Sequence, residues 1–237
     1  MKLSAPIFRL KRQARLLARE SDVPLHTALN QLARNEGFRT WSHLAASASD
    51  HRPASEMLAQ LSPGDLVLLG ARPGHGKTLL GLELAVEAVR TGRPAFFFTL
   101  EDNEGVVFDR LQVLGAEREM VEDKLVLDTS DDICAEHIIN RVGDNAGEAV
   151  VIIDYLQLLD QRRRNPELDM QIRTLRSFAS ATGSITVALA QIDRAFESTG
   201  KSFPELADIR LPNPVDLTLF TKACFMHNGD AHLEELA

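Results

Sequence analysis

The sequence predicts an α/β fold with a mostly parallel central sheet flanked by helices, preceded by a small helical N-terminal segment. From Leu61 onward, short apolar runs alternate with helical stretches. Continuous apolar strands between helices are typical of a parallel sheet that is covered on both faces. Basic residues are concentrated near the N-terminus. The predicted boundaries are therefore a basic helical segment at 1–50, a linker at 51–60 and an α/β domain at 61–237.

Six apolar segments are predicted as strands because they are short and bounded by helical patterns or glycines. They are Asp65–Leu69, Ala95–Leu100, Leu125–Leu127, Val150–Ile153, Ile185–Ala190 and a further candidate at Leu217–Met226. Gly92, Gly115 and Gly183 are predicted to end helices between these strands. In a sheet of this kind, ligands bind at the carboxyl ends of the strands.

The N-terminal segment differs from the rest of the chain in charge. Residues 1–52 hold nine Lys or Arg against four acidic residues, and the whole chain carries −8, so residues 53–237 carry −13. Apolar spacing predicts three short helices, the first around Ile7–Leu17, the second starting at Ser21 or Asp22 before Pro24, and the third capped by Thr40. The segment is either a DNA-binding or docking module or a helical cap whose basic face is only solvated.

Composition excludes several classes of protein. The two cysteines, Cys134 and Cys224, lie far apart in sequence, and both are predicted to be buried thiols in a reducing compartment. No apolar run approaches the length of a membrane span, and the N-terminus lacks the core of a signal peptide. The expectation is a cytoplasmic protein with no membrane partner.

The segment Gly-Ala-Arg-Pro-Gly-His-Gly-Lys-Thr at residues 70–78 lies between a predicted strand and a predicted helix. Glycines allow backbone N–H groups to turn inward around a phosphate, and the following helix N-terminus favours the anion. Lys77 would place its charge on the β- and γ-phosphates. This is a phosphate-binding loop, with nucleotide-binding residues predicted at Ala71, Arg72, Pro73, Gly74, His75, Gly76, Lys77 and Thr78.

Polar side chains at other predicted strand ends complete a candidate catalytic site. Glu101 follows one strand and is suited to orient the attacking water. The alternative is that this segment only caps the N-terminus of the next helix, a role that Asp102 could fill alone. Asp154 follows another strand and, with the Thr78 hydroxyl, would hold Mg²⁺. Gln191 would hydrogen-bond the γ-phosphate or its water, or simply face solvent. Lys77, Glu101 and Gln191 are thus the predicted catalytic residues, with ATP and Mg²⁺ as cofactors.

Four motifs resemble those of the DnaB family of replicative helicases. They are the phosphate-binding loop, the Phe-Thr-Leu-Glu ending at Glu101, the Ile-Asp-Tyr-Leu-Gln-Leu run at 153–158 and the Ala-Gln-Ile-Asp-Arg run at 190–194. The similarity extends through residues 204–210 and covers roughly 60–226. It implies a RecA-like P-loop NTPase domain, in which Lys77, Thr78, Glu101, Asp154 and Gln191 take the roles given above. It also implies a hexamer whose loops after Asp154 and Gln191 face a central channel and single-stranded DNA.

Those two loops contain basic residues that are candidates for DNA contact. A surface that follows a nucleic-acid backbone needs local positive charge and flexible loops. Ordinary surface charge is the alternative interpretation. The candidates are Arg162, Arg163, Arg164, Arg194 and Lys201.

The chain also departs from the family pattern. Residues 1–50 are too short for the helical collar domain of the family and do not resemble it. The family's C-terminal hairpin supplies an arginine finger to a neighbouring subunit, but no Lys or Arg follows Lys222 here. Because such a finger strongly accelerates turnover, Arg210, Lys222 or Arg194 would have to replace it.

Two function classes follow from these motifs. The first is a Mg-dependent, DNA-dependent ATPase or helicase that acts in DNA replication or plasmid maintenance. The second is a RecA-type ATP-binding switch or accessory protein with slow hydrolysis and no strand unwinding. The set of Glu101, Asp154 and Gln191 favours the first; the missing finger and the acidic charge favour the second.

Overall fold

The structure is a computed structural model, and it describes residues 4–5, 7–21, 23–44, 53–116, 124–159, 165–211, 213–228 and 230–236. Backbone contacts divide the chain into two compact units, Met1–Pro53 and Ala54–Ala237. We call them the N-terminal unit and, after the activity that its phosphate-binding loop predicts, the ATPase unit. None of the described helices combines the length and apolarity that a bilayer crossing requires.

The N-terminal unit is a small helical body. Helix α1 (Ile7–Glu20) packs against α2 (Leu25–Asn35), and a short helical turn follows at 41–44. Leu10, Ala33, Phe38 and Leu44 form its core, against which Trp41 packs. The predicted cap of the third helix is present, since the Thr40 hydroxyl accepts a hydrogen bond from the His43 N–H. The N-cap of α2, however, is Pro24 rather than Ser21 or Asp22.

The ATPase unit alternates strands with helices. Its helices are α3 (Pro53–Ala59), α4 (Lys77–Arg90), α5 (Glu104–Val113), α6 (Ala135–Val142) and α7 (Leu168–Thr182). Its strands are β1 (Leu66–Ala71), β2 (Ala95–Thr99), β3 (Leu125–Asp128), β4 (Val150–Asp154), β5 (Ile185–Gln191), β6 (Lys222–His227) and β7 (Asp230–Glu235).

The strands form one sheet in the order β3-β2-β4-β5-β1-β6-β7. Every neighbouring pair is parallel except β6 and β7, which form an antiparallel hairpin. The predicted fold is therefore confirmed: a mostly parallel sheet is flanked by helices, and a small helical segment precedes it in the chain. Strand β7 was not predicted, because its alternation of polar and apolar residues is weak.

The core has two halves, one on each face of the sheet. Successive strand residues alternate between them: Phe97 packs towards α4, whereas Phe96 and Phe98 pack towards the face covered by α6 and α7. Gly81 lets α4 approach the sheet closely, because a Cβ atom there would lie 3.1 Å from both Ile152 and Leu189. This close approach fixes the start of α4, and with it Lys77, relative to the strand ends.

Several predicted boundaries differ from the structure. Strand β1 runs two residues past Leu69, because Gly70 and Ala71 still pair with β5 and β6. In the candidate strand Leu217–Met226, the first part forms a 3₁₀ turn instead. Helix α3 occupies most of the range predicted as a linker, and its apolar residues reach the core of the ATPase unit; the domain boundaries otherwise stay a prediction.

The two cysteines also differ from one another. Cys224 is buried, and burial raises the pKa of its thiol to about 12. Cys134, the N-cap residue of α6, is only partly buried. The prediction of two buried thiols is thus correct for Cys224 and wrong for Cys134.

Glu83 on α4 gives a pH-dependent expectation for stability. Burial raises the pKa of this carboxyl from 4.5 to about 7, so the unfolded chain loses the proton first as pH rises. Wild type should therefore lose stability between about pH 4.5 and 7 relative to Glu83→Gln. We expect the variant to match wild type near pH 4 and to exceed it by about 2–3 kcal/mol at pH 8, measured by urea unfolding followed by circular dichroism.

The matched control is Glu136→Gln, which removes one carboxylate from an exposed position in the first turn of α6. A Glu83→Gln variant whose stability differs from wild type by the same amount at pH 4 and pH 8 contradicts the raised pKa.

Candidate nucleotide-binding site

The predicted site residues come together at one edge of the sheet. Strands β2, β4, β5 and β1 are consecutive neighbours and all run in the same direction. Glu101 follows β2, Asp154 ends β4, Gln191 ends β5, and the phosphate-binding loop follows β1. The structure thus brings together, at the carboxyl edge, residues that lie up to 120 positions apart in sequence.

The phosphate-binding loop is a tight turn closed by local hydrogen bonds. The His75 N–H donates to the Arg72 carbonyl at 3.0 Å, and the Leu80 N–H donates to the Gly76 carbonyl at 2.9 Å. Gly74 and Gly76 have φ values of 78° and 93°, which side chains with a Cβ atom rarely adopt. Gly76 is also the N-cap of α4. The helix therefore begins at Lys77 with its N–H groups directed at the loop, the arrangement that anion binding requires.

Lys77 is the centre of the polar contacts in this site. Its Nζ atom donates to Asp154 Oδ1 at 2.9 Å and to Glu101 Oε2 at 3.3 Å. It also lies 4.9 Å from the ring centroid of Tyr155. The Lys77 and Asp154 side chains are 7% and 0% exposed, so the ion pair is buried. A nucleotide phosphate would have to compete with two carboxylates for this ammonium group.

The donor set fits Mg²⁺ held together with a nucleotide. Asp154 Oδ1 is occupied by Lys77, but the buried Oδ2 accepts no hydrogen bond from any described residue. Thr78 follows Lys77 in the first turn of α4, so its hydroxyl belongs to the same loop. The described residues contain no group of three or more His, Cys, Asp or Glu able to hold a metal by themselves. Mg²⁺ commonly uses one or two protein ligands together with substrate phosphates, and Thr78 with Asp154 matches that pattern.

Glu101 is held by the end of β2. Its N–H donates to the hydroxyl of the fully buried Thr99 at 3.1 Å, while its side chain is 35% exposed. The N-cap of α5 is Asn103, which accepts from the Val106 N–H. Asp102 instead pairs with Arg110 at 2.6 Å. The alternative role as an N-cap was therefore wrong for Asp102, and capping does not involve Glu101.

Gln191 is held between two neighbouring segments. It lies beside Ala71 in the β1–β5 register, and its carbonyl accepts from the Arg210 N–H at 2.8 Å. Next to it, Ile192 forms an antiparallel bridge with Ile209. Gln191 therefore stands at the point where the phosphate-binding loop, β5 and the returning segment 206–210 meet.

Arg72 links the phosphate-binding loop to the segment after β5. Its guanidinium donates to the Ile192 carbonyl and to Glu197 Oε1, both at 2.9 Å. The sequence placed Arg72 among the nucleotide-binding residues but gave no signal for this contact, because Glu197 is 125 positions away.

A cluster of aromatic and histidine rings lies beside the loop and was missed by the sequence analysis. The rings of His75 and His227 stack with centroids 5.6 Å apart. Phe196 and Phe203 contact the His227 ring edge-on, at 5.1 and 6.5 Å. The predicted strand ended one residue before His227, and only the pairing of β6 with β1 brings that residue to the loop.

The candidate DNA-contact residues have different surroundings. Arg162, Arg163 and Arg164 lie outside the described residues. Arg194 is exposed at the start of a 3₁₀ turn. Lys201 is exposed too, but its ammonium lies 3.0 Å from Glu205 and 3.5 Å from Asp208, and the hydrogen bond to Glu205 raises its pKa. Its charge is thus largely compensated within the chain.

The three candidates for a substitute arginine finger are not equivalent. Lys222 begins β6, at the amino edge of the sheet, and is buried between Asp65 and Glu235. It is therefore unsuited to contact a nucleotide on a neighbouring subunit. Arg194 and Arg210 are exposed and flank the bridge at the end of β5.

The buried ion pair predicts strong coupling between Lys77 and Asp154. Removing either partner leaves a charge inside the site, so Lys77→Ala and Asp154→Ala should each lower the free energy of unfolding by about 3–5 kcal/mol. The double variant should lower the free energy of unfolding by less than the sum of the two single variants, with a coupling energy of about 1–3 kcal/mol. Urea unfolding without nucleotide or Mg²⁺ measures the cycle; strictly additive effects would mean that the pair is not formed.

Comparisons with known proteins find DnaB-like helicases among the proteins that this chain resembles. Residues 110–215 match the family model of the DnaB-like helicase C terminal domain. The replicative DNA helicase DnaB of Leifsonia xyli subsp. xyli is 27% identical over 186 residues, which cover 65% of this chain and 41% of that protein. A probable plasmid replicative DNA helicase of Chlamydia muridarum is 27% identical over 196 residues, covering 68% and 43%. The chain thus spans about two fifths of the length of these relatives.

Solved structures support the same relationship at the level of the fold. A DnaB-like replicative helicase superposes with a TM-score of 0.62 at 16% identity, and the match covers 97% of this chain and 74% of that one. A KaiC-like protein of Pyrococcus horikoshii superposes with a TM-score of 0.53 at 18% identity, covering 68% and 70%. The resemblance to the DnaB-like helicases indicated by the four motifs is therefore confirmed, and the ATPase unit has the RecA-like fold.

Proposed function

We propose that this chain binds ATP with Mg²⁺ and hydrolyses it, as a DNA-dependent ATPase or helicase in DNA replication or plasmid maintenance. The observation that carries the proposal is the contact of Lys77 with both Glu101 and Asp154 at the carboxyl edge of the sheet. Lys77 thereby contacts both Asp154, which is proposed to hold the metal, and Glu101, which is proposed to orient the attacking water.

The proposed roles follow from the positions of the groups. The N–H groups of the loop surround the phosphates, and the Lys77 ammonium moves from the carboxylates to the β- and γ-phosphate oxygens. Thr78 and Asp154 would hold Mg²⁺, which neutralises charge on the phosphates when bound. Once Lys77 moves, the Glu101 carboxylate is released to orient the attacking water and accept its proton. Gln191, held beside Ala71, is placed to hydrogen-bond the γ-phosphate or that water.

The contacts of Arg72 link the phosphate-binding loop to the segment that carries a proposed DNA-contact residue, Arg194. Arg72 belongs to the phosphate-binding loop, and its partners Ile192 and Glu197 flank Arg194. A change in the loop on nucleotide binding would therefore alter the segment that carries this candidate DNA contact. Arg194, and Arg162 to Arg164, remain the proposed DNA-contact residues; the compensated charge of Lys201 makes it the weakest candidate.

The second candidate function is an ATP-binding switch with slow hydrolysis and no unwinding. Two observations favour it: residues 53–237 carry a net charge of −13, and Lys201 forms ion pairs with Glu205 and Asp208. In this case, the change at Arg72 and Glu197 would be passed to a protein partner rather than to DNA.

Variants of Lys77 and Glu101 test the catalytic assignment. Lys77→Ala should abolish ATP turnover, because the phosphates lose their charge partner. Glu101→Gln should retain binding of a fluorescent ATP analogue but lower kcat by a factor of about 10²–10⁴, the usual contribution of a general base. Released phosphate measures turnover, and fluorescence titration measures binding.

The matched control is Glu104→Gln, which makes the same chemical change at an exposed position three residues further on. Wild-type turnover in Glu101→Gln would exclude the catalytic role of Glu101, and unchanged hydrolysis in Lys77→Ala would exclude the nucleotide site.

Turnover with and without DNA separates the two functions. A DNA-dependent ATPase should be stimulated by single-stranded DNA, and a homo-oligomer such as a hexamer should be seen by light scattering with ATP and Mg²⁺. If an exposed arginine replaces the finger between subunits, Arg210→Ala or Arg194→Ala should lower kcat far more than ATP affinity. A monomer with slow hydrolysis unaffected by DNA would establish the switch instead.

A further inference from the structure

The N-terminal unit carries a one-sided basic surface on α1. We call it the basic face and define it as Lys11, Arg12, Arg15 and Arg19. At 100° per residue, these four positions lie within an arc of about 100°, and they extend over about 12 Å of helix. Arg12, Arg15 and Arg19 are exposed, and Lys11 is partly exposed.

The opposite side of α1 accounts for the fold of the unit. Leu10 and Ala14 are 1% and 0% exposed and point away from the basic face. The helix therefore needs the basic face neither for its core nor for packing on α2. Glu20 is the acidic residue among the described side chains of α1, and it lies about 80° beyond the edge of the arc.

These cations are not compensated within the described part of the chain. The structure gives none of the four an ion pair or hydrogen bond to a described carboxylate, in contrast to Arg110, Arg173 and Lys222 of the ATPase unit. Glu36 of the N-terminal unit is itself engaged, because it accepts a hydrogen bond from the Ser4 N–H at 2.7 Å. Four like charges on one face raise the local potential, which a polyanion would relieve.

We infer that the basic face binds the phosphodiester backbone of DNA, as a site separate from the ATPase unit. Phosphates of one strand rise by about 3.4 Å along the duplex axis from one nucleotide to the next, so a strand that passes this face of about 12 Å brings several phosphates within reach of the four cations. The site reads charge rather than sequence, since phosphate contacts carry no base information. It also supplies local positive charge to a chain whose remaining residues, 53–237, carry −13.

Salt dependence of DNA binding tests this inference without reference to ATP hydrolysis. The full chain is titrated with a labelled 20-nucleotide single strand, and separately with the corresponding duplex, in the absence of nucleotide. Each neutralised phosphate contributes about 0.7 to the slope of log K against log salt for single strands and about 0.9 for duplexes. Arg12→Ala/Arg15→Ala/Arg19→Ala should therefore reduce the slope by about 2 and weaken binding more than tenfold at low salt.

A charge-preserving variant is the matched control. Arg12→Lys/Arg15→Lys/Arg19→Lys should keep the slope, because a point charge suffices for phosphate contacts. Trp41 is the chain's single Trp and packs on the core of the N-terminal unit, so its emission checks that this unit is folded and reports ligand binding there.

The outcomes separate this inference from the proposed function. Lys77→Ala should retain nucleotide-independent DNA binding even when turnover is lost. An alanine variant with the wild-type slope and affinity would overturn the inference. A lysine variant whose slope and DNA affinity fall as far as those of the alanine variant would overturn it too. A wild-type chain that binds neither the single strand nor the duplex would also overturn it.

Discussion

The contact between Lys77 and Asp154 is the interaction on which the site depends. An ammonium group and a carboxylate are buried together at 2.9 Å, and burial of either alone would be strongly unfavourable. Their meeting requires β1 and β4 to end at the same edge, with β5 between them, and α4 to begin immediately at the loop. The pair thus constrains strand order, helix start and loop shape at the same time. It also leaves Asp154 Oδ2 without a hydrogen bond from the described residues. This oxygen is the one that would take part in the proposed Mg²⁺ site.

The packing of the ATPase unit holds the strand ends in place and connects them to the phosphate-binding loop. Strand residues alternate between two apolar layers, and the close approach of α4 at Gly81 holds the helix on the sheet. The segment after β5 joins one of these layers through Ile192, Phe196 and Ile209, and further contacts connect it to the phosphate-binding loop. Arg72 contacts Ile192 and Glu197, and His75 stacks on His227. Through these contacts the phosphate-binding loop is joined to the segment after β5.

Much of the fold was predictable because its signals are local. Apolar runs such as Val150–Ile153 need to be buried wherever they lie, and the spacing of Gly74, Gly76 and Lys77 imposes one kind of loop. Errors occurred where distant partners decide the outcome. Strand β1 continues through Ala71 because β5 and β6 pair with it. Asp102 pairs with Arg110 instead of capping α5, and Cys134 is partly exposed although its neighbours Ile133 and Ala135 are buried.

The sequence by itself determined the α/β class, the phosphate-binding loop and the identity of the acids that follow the strands, because periodicity and residue chemistry are properties of short segments. The tertiary structure decided which of those groups meet. It joined Lys77 to Asp154 and Glu101, paired Lys201 and Lys222 with carboxylates, and placed His227 beside the loop. The physical reason is that parallel strands pair across long separations, so contacts between strand ends depend on sheet order, which no local pattern specifies.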